Sequence, residues 1–175
     1  MPIRSSLGLA GCAAAALILL AAPAAAADGD LLPAPQAAIV AGAKACLGST
    51  IDPSGQAARF AGWVPATPDQ KKSVNVDGDG IVVVRDNVMI AFKTGADGGC
   101  VVIATAATDF NPATFYPQIS TAVGATVQPA ETPAPVTLPN GEIFVPVISP
   151  KTASAAPKVI LVFANGASKF AKKGN

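Results

Sequence analysis

Three cysteines, a short run of Asn and Asp residues and the absence of any histidine bound the chemistry open to this chain. Cys46 and Cys100 stand alone in the sequence. They form no C-x-x-C pair and have no histidine to join them, so neither a redox pair nor a zinc site is favoured. In an exported protein two such cysteines are expected to bond to each other. The second constellation is Asn75, Asp77, Asp79 and Asp86, which fall at the first, third, fifth and twelfth places of a calcium-loop spacing, with Gly80 at the sixth. Oxygen ligands so spaced could wrap a hard cation. Three features oppose this. Asn replaces Asp at the first place, Val83 at the ninth offers no side-chain oxygen, and the residues after Gly80 read as a strand. Asp77-Gly78 and Asp79-Gly80 are also ordinary turn pairs, so the turn is the preferred reading.

Nothing else in the chain assembles a recognisable catalytic set. Without histidine there is no imidazole base and no imidazole metal ligand. A nucleophile elbow, a phosphate loop and a zinc pattern are all missing from the sequence. Asp77 and Asp79 could pair as acid and base, but nothing in the sequence separates their environments. No catalytic residue, metal or cofactor is therefore assigned. Removing Arg4 with a leader would take the basic side chains from 12 to 11, matching the 11 acidic ones. A formally neutral domain has no field to gather nucleic acid or anionic lipid, and the low aromatic content disfavours base stacking.

The element that these residues serve is Ile81 to Thr105, three short apolar runs separated by turn signals. Asp86-Asn87 tolerates positive φ and predicts a two-residue hairpin turn. That turn sets Ile81 opposite Phe92, Val82 opposite Ala91, Val83 opposite Ile90 and Val84 opposite Met89. Alternation then sends Ile81, Val83, Ile90 and Phe92 to one face and Val82, Val84, Met89 and Ala91 to the other. Both faces are apolar, so both call for cover. Cys100–Ala104 makes the third strand. Helices are predicted at Gln36–Leu47, stopped by Gly48; from Asp52-Pro53 to Gly62, anchored by Phe60 and Trp63; and from Pro112 to Gly124, capped by Asp109 or Asn111, with Phe115, Ile119 and Val123 as its inward stripe. Ser73–Val76 is expected as an edge strand. Val136–Leu138 and Glu142–Ile148 form a hairpin about Pro139-Asn140-Gly141, with Pro146 marking an edge. Lys158–Ala164 is a further strand, expected to fold back over the open face unless a second copy of the chain covers it.

Residues 1–27 read as a secretory signal peptide: Arg4, an apolar core from Leu7 to Ala22, and a small-residue cleavage site at Ala24–Ala27. Leu9-Ala10-Gly11-Cys12 resembles the lipobox of bacterial lipoproteins. Its cysteine comes early, however, and the strongest apolar stretch follows it, so ordinary export is the default. Residues 28–165 then form a single α+β domain, an antiparallel meander with two to three helices on one face and one disulfide. Residues 166–175 are a short basic tail. The expected role is that of an exported bacterial protein, periplasmic or secreted, binding an unknown protein or small ligand, as monomer or homodimer. It is expected to bind no nucleic acid and to have no membrane span once the leader is cut. The alternative is a small secreted enzyme using Asp, Lys or Ser chemistry.

Overall fold

The computed structural model describes residues 31–73, 80–93, 98–149, 152 and 156–166. Its centre is the predicted hairpin. Strands β3 (Ile81–Arg85) and β4 (Val88–Lys93) pair in the register given by the turn, Ile81 with Phe92 through Val84 with Met89. Asp86 and Asn87 take φ of 50° and 64°, the left-handed pair that a tight hairpin requires. The third run is β5 (Gly99–Ala106), antiparallel to β4. Before these come β1 (Pro33–Ala34), parallel to the end of β5, and β2 (Val64–Pro65), on the outer side of β3. The side-chain amide of Asn87 donates to the Pro33 carbonyl and ties the hairpin tip to β1.

The C-terminal strands are β6 (Val136–Thr137), β7 (Glu142–Ile148) and β8 (Lys158–Asn165). They form a second meander joined to the first edge to edge, in the order β2-β3-β4-β5-β8-β7-β6. β8 therefore does not fold back over the open face. It completes the second edge of β5, with Val101 opposite Val162 and Ile103 opposite Ile160. Main-chain hydrogen bonding along the whole of β5 settles the matter, because a strand with free donors on one side is better satisfied by an in-plane partner than by a stacked one. β6 reaches only as far as Phe144 along β7, so Pro146 stands at a free edge, as its missing N–H demands.

The helices are α1 (Gln36–Cys46), α2 (Gln56–Arg59), α3 (Pro68–Ser73) and α4 (Pro112–Val123). The second of the predicted helices is split, with a 3₁₀ turn at Pro53–Gly55 preceding α2. Of the edge strand expected at Ser73–Val76, Ser73 instead closes α3 and residues 74–76 lie outside the described residues; among the described residues the strand at this edge is β2. The local cause is a reciprocal cap. The Thr67 N–H donates to Gln70 Oε1 and the Gln70 N–H donates to Thr67 Oγ1, with Pro68 in the first helical position. Of the two candidate caps of α4 it is Asn111 that serves, accepting from the Ala113 N–H, and Gly124 at φ 71° closes the helix.

The two sheet faces separate cleanly. On one lie Val83, Val88, Ile90, Phe92, Cys100, Val102, Leu161 and Phe163, buried under Ile39 and Ala43 of α1 and Phe115, Ile119 and Val123 of α4. Gly42 lets α1 approach closely: a Cβ there would stand 2.9 Å from Val102 Cγ1. Phe60 stacks on Phe92 at 4.5 Å, and Trp63 packs at the rim of the same core. The opposite face carries a smaller cluster, Val82, Met89 and Ala91 beneath Ala66, with Leu31 and Val84 at its border.

Candidate functional site

Cys46, at the end of α1, and Cys100, in β5, are bonded, with their Cα atoms 5.6 Å apart. Both residues are fully buried, which fits a staple between helix and sheet and leaves no thiol for chemistry. Of the calcium-loop candidates, Asn75, Asp77 and Asp79 lie outside the described residues. Asp86 occupies the hairpin turn, its carboxylate 3.3 Å from Arg85 Nε, and Val83 lies in strand β3. Among the described residues no group of three or more His, Cys, Asp or Glu side chains could hold a metal.

The structure adds a carboxylate that the sequence reading left unassigned. Glu142 is completely buried. Its Oε2 accepts from the Gly48 N–H at 2.7 Å and from Asn140 Nδ2 at 2.8 Å; its Oε1 accepts from Thr50 Oγ1 at 2.6 Å and from the Thr50 N–H at 3.2 Å. Four donors satisfy a carboxylate held away from water, and they use the lone pairs that a general base would need. The group acts as a clamp between the exit of α1 and the β6–β7 hairpin. A signal for it was present: Glu142 opens an apolar strand at a position whose alternation partners, Phe144 and Pro146, face the helices. Nearby, Asp52 accepts from the hydroxyl and the N–H of Ser54 and from Arg59. The Ser54 hydroxyl first, then Arg59, holds its carboxyl below the usual 3.8.

A cleft of about 590 Å³ lies between the irregular segment after α4 and the free edge of β7, with Tyr116, Pro129, Glu131 and Pro146 among its walls. Burial raises the Tyr116 phenol above its ordinary 10.0. This wall is rich in proline and poor in groups that could act together on a substrate.

A further surface is the second face of the sheet. Val101 and Ile103 of β5, Ile160 and Val162 of β8, and Ile143, Val145 and Val147 of β7 share it by register. All seven are only partly buried, whereas the residues alternating with them in β5 and β8, such as Val102 and Leu161, are fully buried. The helices α1 and α4 cover the other side, and among the described residues the cluster beneath Ala66 extends from the β3–β4 end to Ile103. Lys93 and Lys158, both exposed, bound the face at opposite ends of the strands. Compared with protein-family models, with curated proteins and with solved structures, the chain finds no match.

Proposed function

We propose that this chain is an exported, non-catalytic binding or accessory protein of the periplasm or extracellular space, and that it recognises its partner through the open face of the sheet. The observation that carries the reading is the row of seven partly exposed β-branched and aliphatic side chains across β5, β8 and β7. The largest apolar patch on a typical monomer is about 300–600 Å² and often serves contact. Export is supported by the apolar leader-like segment ahead of residue 28 and by a disulfide, a bond that persists in oxidising compartments. Among the described residues no helix is long and apolar enough to cross a membrane. The enzyme alternative draws little support: among the described residues the fully buried carboxylate is that of Glu142, and four donors from its own chain occupy it.

The test is affinity capture from the native envelope fraction with the mature, oxidised protein and with a Val145→Asp, Ile160→Asp variant. A specific partner set that disappears with the variant, while the variant keeps its melting temperature, supports the reading. Capture that is unchanged by the variant overturns it.

A further inference from the structure

Resting on that reading, we infer that the partner presents a single amphipathic α-helix of about four to five turns, apolar on the side that meets the sheet and acidic along its flanks. Size is the first argument. Three strands spaced by about 4.8 Å, each contributing about seven residues at about 3.4 Å, make a face roughly 14 Å by 24 Å. An α-helix is about 10 Å across and rises 1.5 Å per residue, so about 16 residues fill that footprint. The same sheet already displays this mode on its other side, where α1 lies along β4 and β5.

A second copy of the chain fits less well. Charge gives the second argument. Among the described strand residues on this face the ionisable ones are Lys93 and Lys158. Two copies packed face to face would gather four lysines around one apolar seam. A helix with Glu or Asp on its flanks meets each lysine with an opposite charge and excludes helices of the wrong sign.

The experiment uses mature, oxidised protein and two fluorescent synthetic helices of 18 residues with the same leucine stripe, one flanked by Glu and the other by Lys. The acidic helix is expected to bind at least tenfold tighter, its affinity is expected to fall with added salt, and Lys93→Glu with Lys158→Glu is expected to reverse the preference. Val145→Asp should abolish binding of both. Equal binding of the two helices, or binding of neither, overturns the helix assignment. So does a dimer in sedimentation that Val145→Asp dissolves, or binding to vesicles of anionic lipid that Val145→Asp abolishes. In all these cases envelope capture that still depends on Val145 and Ile160 leaves the broader binding role standing, whereas capture indifferent to them removes that role as well.

Discussion

Glu142 shows how a single side chain can join distant parts of the molecule. Its donors come from residues 48, 50 and 140, so the clamp links the exit of α1 to the start of β7. Replacing it with Ala strips four donors of their acceptor, and each unsatisfied buried group costs about 1–3 kcal/mol, partly relieved by water. We expect Glu142→Ala to lower unfolding free energy by about 3 kcal/mol in urea titration, with Glu142→Gln nearly as severe because its amide would face other donors. Asp52 gives a pH signature. Its folded pKa lies below the unfolded 3.8, so its contribution is present above that value and is lost as pH falls through the folded pKa. Asp52→Asn should therefore melt lower than wild type at pH 6, and the two melting curves should converge in strong acid. Much at this scale was readable in advance: Asp86-Asn87 for the turn, Asp109 or Asn111 for the cap, Cys46 with Cys100 for the staple. The role of Glu142 was not, because the donors from Gly48 and Thr50 lie more than 90 residues away in the chain and are brought to it only by the folded backbone.

Elements are held by two devices of opposite character. The disulfide closes a span of 54 residues, for which chain-entropy reasoning gives about 4 kcal/mol. Reduction and alkylation after unfolding should shift the intact mass by two blocked thiols, and the Cys46→Ser, Cys100→Ser pair should lose stability of about that size. In the folded state alkylation without denaturant should be slow, since both residues are buried. The second device is a missing methyl. Ala is a better helix former than Gly by about 1 kcal/mol, yet Gly42→Ala would drive a Cβ to 2.9 Å and 3.1 Å from Val102 and Val88. Overpacking of that kind costs about 1–3 kcal/mol, so a net loss of about 1 kcal/mol is expected in thermal unfolding. Helix positions and hairpin register were legible because period and turn chemistry are local. The helix at Pro68–Ser73 has only Thr67 and Gln70 at capping-box spacing to signal it, among prolines and lysines that are equally at home in a loop. Strand order was harder still, since nothing local tells β8 to sit beside β5 and not over it.

At the scale of the whole molecule, the sheet has one finished side and one open side, and substitutions should divide accordingly. Val84 borders the small cluster beneath Ala66, so Val84→Asp is expected to destabilise by about 2 kcal/mol. Val145→Lys, out on the open part, should stay within about 0.5 kcal/mol of wild type by the same denaturant measurement. The strand order carries a consequence for how the chain is made. β5 ends at Ala106, but the strand that completes its second edge begins only at Lys158. During synthesis the first meander therefore emerges with a flat, apolar strand whose hydrogen-bonding groups wait for a partner still unmade. Such an edge recruits neighbouring nascent chains. A chain ending at Gly124 should scatter light at concentrations where the full-length protein stays clear, and the danger passes only when β8 arrives and takes its place.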